Sequence, residues 1–176
     1  MEEPHKEHKK HHVKDVRFGI VTISTSRWNK LKEGGEVSDP SGDFCEEYIK
    51  NHGHLVVFRD LIPDNREMIE EIVNKAIDLG VDILITIGGT GITRDDLTLE
   101  ALEPMFNKKL PGFGELFRFL SYKEIGSSAF LSRASAGIIN KMCVFILPGS
   151  LNAVKLALEK LIINEAGHIK YLLERM

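Results

Sequence analysis

Residues 83–101 read ILITIGGTGITRDDLTLEA, and this stretch decides the fold. Its opening residues are β-branched or aliphatic, which is typical of a strand buried on both faces of a parallel sheet. The strand ends at a glycine turn, Gly88-Gly89-Thr90-Gly91, where the absence of Cβ atoms permits positive φ angles and close approach of the backbone to a ligand. Because ligands of open α/β sheets bind at the carboxyl ends of the strands, the stretch predicts an anion-binding loop.

The residues that follow the glycine turn carry both signs of charge. Arg94 suits an anion, whereas Asp95 and Asp96 would repel it unless a cation lay between them. The loop lacks the lysine of a P-loop, and Arg94 stands where a dinucleotide fingerprint has its third glycine. A polyphosphate with a divalent metal ion would satisfy all three side chains. The alternative is that Asp95 and Asp96 cap a helix beginning near Leu97, with Thr98 as a competing cap.

Strand-like and helix-like patterns alternate along the chain from residue 16, which indicates an α/β fold. Strands are predicted at 16–24, 55–59, 83–87 and 142–147. Helices are predicted at 41–51, 64–80, 97–106, 112–121 and 128–138, followed by a last helix capped by Ser150, and 25–40 is predicted to be a loop. The short connections predict a three-layer α/β/α sandwich with a mostly parallel sheet.

The composition predicts a single globular domain. The chain has 176 residues, 43% of them hydrophobic, and a formal net charge of −3, which gives no electrostatic footprint for nucleic acid. No stretch reaches the ~20 apolar residues of a membrane span. Cys45 and Cys143 lack metal-ligand spacing and are predicted to be buried thiols of a cytoplasmic protein. Residues 1–14 are predicted to be a disordered tail, with metal binding by its histidines as the alternative, so that the domain comprises 15–176.

Further segments supply groups that suit phosphate. Thr25 and Ser26 follow the first strand, and Ser41 lies at the head of a helix whose N-terminal N–H groups attract anions, although helix capping is an equally simple role there. Ser132 and Arg133 lie among serines and small residues, where hydroxyls and a guanidinium suit a second phosphate or a polar heterocycle. Tight helix packing is the alternative for that segment.

Asp64 follows the second predicted strand, at the sheet edge where Asp96 is also expected. Such a carboxylate pair can divide the work, with one holding a metal ion and the other orienting a nucleophile. The sequence Asp64-Asn65-Arg66-Glu67 also matches an acidic form of the capping box, so a structural role for Asp64 is the alternative.

Six short motifs follow one another along the chain: Thr25-Ser26-Arg27, Asp39-x-Ser41-Gly42, Gly88-Gly89-Thr90-Gly91 with Asp96 and Thr98, GFGELFR at 112–118, Ser132-Arg133-Ala134, and Leu147-Pro148-Gly149-Ser150. In this order they resemble the molybdenum cofactor biosynthesis proteins of the MoaB/MogA type, the molybdopterin adenylyltransferase family. The resemblance extends from residue 16 to residue 168.

The resemblance implies an activity, an assembly and a set of site residues. Members of the family use Mg-ATP to adenylylate molybdopterin with release of pyrophosphate, and they assemble as homotrimers or homohexamers. By resemblance, the glycine turn and Arg94 bind the nucleotide phosphates, and Asp64 and Asp96 are the functional carboxylates and candidate Mg²⁺ ligands. The residues implied in molybdopterin binding are Thr25, Ser26, Ser41, Ser132, Arg133, Pro148, Gly149 and Ser150.

Two further expectations accompany the resemblance. The family includes paralogues without the transferase activity, and Arg94 stands one position earlier than the family's arginine, so a molybdopterin-binding or carrier protein is the alternative function. The partners implied are ATP, molybdopterin and the metal-inserting protein of the same pathway. Segment 106–122 is predicted to expose aromatic side chains that an oligomer would cover.

Overall fold

The computed structural model describes residues 15–176, and the predicted tail with its histidines lies outside this range. The described strands form a six-stranded sheet in the order β2-β1-β3-β6-β5-β4. They are β1 (Arg17–Ile23), β2 (Leu55–Ile62), β3 (Ile83–Ile87), β4 (Lys108–Lys109), β5 (Ser135–Ile139) and β6 (Met142–Leu147). β2, β1, β3 and β6 pair in parallel, whereas β5 and β4 extend the edge in antiparallel fashion. The predicted mostly parallel sheet is confirmed.

Helices cover both faces of this sheet. They are α1 (Thr25–Lys32), α2 (Pro40–Asn51), α3 (Arg66–Asp78), α4 (Thr98–Leu102), α5 (Pro111–Ile125), α6 (Leu151–Ala157) and α7 (Ile163–Leu173), with 3-10 turns at Glu103–Met105 and Gly126–Leu131 and a π-helical turn at Leu158–Ile162. Alternate residues of β1 face opposite cores, since Ile20 packs with α2, α5, α6 and α7 while Val21 packs with α3 and α4. The three-layer sandwich is therefore confirmed. Within residues 15–176, no helix has the length and apolar character needed to cross a membrane.

The order of the strands places a crevice beside the glycine turn. From β1 the chain moves to β2 on one side and then returns to β3 on the other side, so the direction of winding reverses between β1 and β3. Ligands of open α/β sheets bind at the carboxyl ends of the strands at such a switch point. Ser24 follows β1 and Gly88 follows β3 at this point, which positions the turn for ligand binding.

The loop predicted over 25–40 is wrong in its first half, because α1 begins directly after β1. Ser24 is the N-cap, and its side chain accepts a hydrogen bond from the backbone N–H of Arg27. No residue of α1 is fully buried, so the helix has no apolar stripe that a periodicity analysis can detect.

The helix predicted over 128–138 is also wrong. Its first part is the 3-10 turn, and its second part is β5, which pairs antiparallel with β6 across a two-residue turn. Asn140 in this turn has a φ of 54°, a left-handed conformation that asparagine tolerates. Gly137 in β5 leaves room for the ring of Phe106, which would meet a Cβ atom there. The small residues therefore lie on a strand, where Ala136 shares one core with Phe117 of α5, and the alternative of a helix–helix contact is wrong.

Candidate active site at the glycine turn

Hydrogen bonds from Thr98 hold the glycine turn in place. Gly88 and Gly89 have φ angles of 108° and 61°, so the predicted positive φ values occur at these two glycines. The carbonyl of Gly88 accepts a hydrogen bond from Thr98 Oγ1 at 3.0 Å, and the carbonyl of Gly89 accepts one from the Thr98 backbone N–H at 3.0 Å. The N–H groups of Gly89 and Thr90 find no acceptor within residues 15–176 and remain available to an anion.

Asp64 faces this turn and does not cap α3. Asn65 is the N-cap, because its side chain accepts from the Met68 N–H at 2.9 Å, so the capping interpretation of Asp64 is wrong. Thr25 Oγ1 accepts from the Asp64 N–H at 3.0 Å and donates to Asp64 Oδ2 at 3.3 Å. The other oxygen, Oδ1, is buried without a hydrogen-bond partner in the described chain, and a Cβ atom at Gly89 would collide with it.

The electrostatic environment of Asp64 favours a bound cation. Burial raises the pKa of Asp64, and the nearby charge of Asp96 raises it further, against the lowering effect of the Thr25 hydroxyl. A buried carboxylate oxygen without a partner is costly, and a cation would remove that cost. The site therefore contains an unpaired acceptor at the switch point of the sheet.

Asp96 closes the loop that follows the turn. It accepts from the Gly91 N–H at 2.9 Å and from the Thr93 N–H at 3.0 Å, and the Thr93 hydroxyl also donates to it. Burial by itself would raise the pKa of Asp96, but these bonds outweigh burial and lower the pKa. Helix α4 begins with Leu97 as N-cap and has no side-chain cap, so the predicted capping by Asp95, Asp96 or Thr98 is wrong.

Asp64 and Asp96 are the carboxylates next to the glycine turn that could contact a cation. Within the described part of the chain, no group of three or more His, Cys, Asp or Glu side chains could hold a metal ion. Asp64 and Asp96 can thus supply only part of a coordination shell. Mg²⁺ is commonly bound in this way, through one or two carboxylates with phosphate and water oxygens completing the octahedron.

A cavity of about 290 Å³ opens beside the turn, between α5 and α6. Three residues predicted to bind molybdopterin, Ser132, Pro148 and Ser150, line it together with Thr90 and Gly91 of the turn. Phe117 of the GFGELFR motif and Ser128 of the serine-rich segment also line it, and the lining residues that were not predicted are Ser121, Glu124, Ile125, Leu131, Asn152, Ala153 and Leu156. The glycine turn and a cavity large enough for a ring therefore adjoin one another.

The other predicted site residues lie outside this cavity. Thr25 contacts Asp64, and Ser26 is the next residue of α1. Ser41 Oγ donates to the Gly149 carbonyl at 2.9 Å. Arg133 Nε donates to the Thr90 carbonyl at 3.0 Å, and its guanidinium forms an ion pair with Glu100.

Some of the predicted site residues support neighbouring loops, and others face solvent. Ser41 and Arg133 brace the loops around the site through backbone carbonyls. The exposed guanidinium of Arg94 has no partner within residues 15–176 and is available to a ligand.

A partly buried charge network that the sequence pattern did not reveal positions α2. Asp39 accepts from Thr22 Oγ1 at 2.7 Å, from the Gly42 N–H at 3.1 Å and from Arg59 Nη2 at 2.8 Å. Burial alone would raise the pKa of Asp39, but the bonds from Thr22, Arg59 and Gly42 outweigh it and hold the pKa below the ordinary value of 3.8. Through this network, β1 and β2 hold the first turn of α2, which contains Ser41, in place.

This network makes stability depend on pH. Because the pKa of Asp39 is lower in the folded state, ionised Asp39 stabilises the fold above about pH 4, and this contribution is lost as the pH falls through the folded-state pKa. We expect Asp39→Asn to lower the free energy of unfolding by about 1–3 kcal/mol at pH 7. Urea unfolding should show that the difference in free energy of unfolding between the wild type and Asp39→Asn becomes smaller below pH 4.

The matched control is Asp43→Asn, because Asp43 also pairs with Arg59 at 2.7 Å but its side chain is 66% exposed. Its effect should be much smaller at every pH, since solvent screens exposed ion pairs. The free energies of unfolding of the wild type and Asp39→Asn are compared from pH 7 to pH 3. A constant difference over this range would contradict the proposed role of the ionised carboxylate.

Comparison with known proteins agrees with this geometry. Residues 19–168 match a family described as a probable molybdopterin binding domain. The chain is 46% identical over 171 residues to molybdenum cofactor biosynthesis protein B of Bacillus anthracis, covering 96% of this chain and 97% of that protein. It is 42% identical over 158 residues to the probable molybdopterin adenylyltransferase of Methanocaldococcus jannaschii, covering 89% and 93%.

A solved structure shares both the sequence and the fold. A crystal structure of molybdenum cofactor biosynthesis protein B superposes with a TM-score of 0.85 at 45% identity, covering 93% of this chain and 98% of that one. Identity of this level over nearly the whole length confirms the resemblance that the ordered motifs indicated. The chain therefore belongs to the MoaB/MogA family of molybdenum cofactor biosynthesis proteins.

Proposed function

We propose that this protein adenylylates molybdopterin with Mg-ATP and releases pyrophosphate. The observation that carries the proposal is the buried, unpaired Oδ1 of Asp64 next to a glycine turn with free N–H groups. A cation and a polyphosphate together would satisfy both. The name of the relative from Methanocaldococcus jannaschii, a probable molybdopterin adenylyltransferase, supports the same activity.

The proposed reaction joins two anions and needs no protein nucleophile. A terminal phosphate oxygen of molybdopterin attacks the α-phosphorus of ATP, a new P–O bond forms, and the bond from the α-phosphorus to the bridging oxygen breaks as pyrophosphate leaves. The N–H groups of Gly89 and Thr90 bind and orient the nucleotide phosphates, and Arg94 neutralises part of their charge. Asp64 and Asp96 would hold Mg²⁺, which would reduce the charge repulsion between the two substrates.

The cavity beside the turn suits the second substrate. Ser132 and Ser150 contribute hydroxyls near Thr90, and apolar side chains form much of the remaining wall. We assign this cavity to molybdopterin, with its phosphate towards the glycine turn. Such an arrangement would bring the attacking oxygen and the α-phosphorus to the same sheet edge, where positioning and charge neutralisation act together.

A product assay tests the proposal. The protein is incubated anaerobically with molybdopterin, ATP and Mg²⁺, and adenylylated molybdopterin and pyrophosphate are measured together. We expect equal amounts of both products, and none when molybdopterin, ATP or Mg²⁺ is left out. Tight binding of molybdopterin without formation of either product would instead support the alternative of a carrier protein.

We also propose that the protein assembles as a homotrimer or homohexamer. Phe119 and Tyr122 are 58% and 62% exposed, as predicted for segment 106–122, and Phe130 of the following 3-10 turn is 76% exposed. Exposed apolar patches on α/β domains commonly mark contacts between protein chains. Light scattering at micromolar concentration should give three or six times the chain mass of 19.8 kDa, and a monomer would contradict the assembly.

A further inference from the structure

One carboxylate lines the cavity beside the glycine turn. Among the described residues that form this cavity, Glu124 is the only one with a charged side chain. It lies on the face of α5 that also presents Phe117 and Ser121, because these three positions recur at helical spacing. Its carboxylate has no hydrogen-bond or ion-pair partner within residues 15–176.

The charge of Glu124 limits what can lie next to it. A carboxylate repels a phosphate group, so phosphate belongs at the part of the cavity formed by Thr90, Gly91 and the neighbouring serines. The space next to Glu124 suits a group that donates hydrogen bonds. The apolar surfaces of Phe117 and Leu156 in the same cavity suit the face of a flat ring.

Adenine and pterin differ in the hydrogen-bond donors and acceptors on their ring edges, and a carboxylate can distinguish the two patterns. Adenine presents one donor, its 6-amino group, beside the acceptor N1, so one carboxylate oxygen would face a lone pair. A pterin presents its 2-amino group and N3–H as adjacent donors, and both oxygens of a carboxylate can accept from them. A site built to pair such donors rejects a ring that lacks one of them.

We infer that Glu124 is a specificity-determining residue that recognises the 2-amino and N3–H edge of the pterin ring and excludes adenine from this cavity. The inference rests on the proposed function, because it assigns the cavity to the pterin substrate. Asn152 and Ser128, which line the same cavity, are available to the remaining polar atoms of the ring.

Two ligands with one phosphate each and different rings test this inference. Neopterin monophosphate and AMP are titrated into the wild type and Glu124→Gln, with affinities measured by calorimetry. The glutamine amide offers one acceptor and one donor, so one charge-assisted hydrogen bond to the pterin is lost. We therefore expect the Kd of neopterin monophosphate to rise about tenfold or more. The Kd of AMP should stay unchanged. Glu124 is exposed, so the variant should fold normally.

Glu115→Gln is the matched control, since Glu115 lies on the same helix and is exposed but does not line this cavity. It should leave both affinities unchanged. Equal neopterin monophosphate affinity in the wild type and Glu124→Gln overturns the inference. A changed Kd for AMP with an unchanged Kd for neopterin monophosphate also overturns it, because adenine would then occupy the cavity.

The inference and the proposed function can fail separately. If the wild type forms adenylylated molybdopterin and Glu124→Gln has the same KM for molybdopterin, the transferase activity stands and the inference fails. If Glu124→Gln selectively loses neopterin monophosphate but the wild type forms no adenylylated product, the recognition site stands and the transferase proposal fails.

Discussion

Asp64→Asn is expected to reduce the rate of molybdopterin adenylylation by about 100-fold or more, as is typical when one preorganised electrostatic group is removed from an active site. Asparagine keeps the shape of the side chain and the contact with Thr25 but is a much weaker ligand for a cation. Turnover is measured as adenylylated product at saturating ATP and molybdopterin. Molybdopterin affinity, measured by calorimetry, should change little, because the proposed pterin cavity does not include Asp64.

The same variant should not lose stability, which separates a catalytic effect from misfolding. The pKa of Asp64 is raised by burial and by Asp96, so the folded state binds a proton more tightly than the unfolded state. Stability therefore falls as the pH rises from the unfolded-state pKa through the folded-state pKa, and ionised Asp64 destabilises the ligand-free protein at pH 7. Asp64→Asn removes this charge, and we expect an equal or higher Tm.

Asp60→Asn is the matched control for charge, since Asp60 lies on β2 and pairs with Lys75 at a position away from the turn. It should retain full turnover. If Asp64→Asn retained more than half of the wild-type rate, the proposed role of this carboxylate would be wrong. If it lost activity together with a large decrease in Tm, the loss would reflect folding instead of cation binding.

Gly88→Ala is expected to destabilise the protein by about 3 kcal/mol or more, which corresponds to a decrease in Tm of roughly 10 °C for a domain of this size. The φ of Gly88 is 108°, which L-residues rarely adopt. A Cβ atom there would also collide with the carbonyl oxygen of Ile23, so β1 and β3 would have to separate at their carboxyl ends. Nucleotide binding should be lost at the same time.

Gly34→Ala distinguishes the cost of the positive φ angle from the cost of the steric collision. Gly34 also has a positive φ, 79°, but a Cβ atom there would meet nothing within 4 Å. We expect it to cost only about 1 kcal/mol, the cost of the backbone conformation alone. Urea unfolding of both variants measures the difference. Equal losses would show that the close approach of Gly88 to β1 does not constrain the turn.

The parts of the fold that could be predicted are those with a buried apolar pattern. β3, β6 and α3 each place aliphatic residues at the spacing of their element, and the structure contains all three. Helix α1 buries no residue completely, so its only sequence signal is the Ser24 cap. β5 is short and rich in small residues, and its assignment depends on pairing with β6, which no local pattern reveals.

The site shows the same division between local and tertiary information. The glycine turn and Asp96 are close in sequence, so their association could be predicted. The unpaired state of Asp64 Oδ1 depends on the packing of β1, β2 and β3, and the network of Asp39 with Arg59 joins residues 20 positions apart. Glu124 was missed because one exposed glutamate on a helix has no distinctive sequence signal.

A crystal structure with Mg²⁺ and a non-hydrolysable ATP analogue tests the central claim most directly. We predict that phosphate oxygens accept hydrogen bonds from the N–H groups of Gly89 and Thr90, and that a cation lies between a phosphate oxygen and Asp64 Oδ1. A nucleotide bound elsewhere, with the glycine turn free of phosphate and Asp64 Oδ1 still without a ligand, would contradict the account.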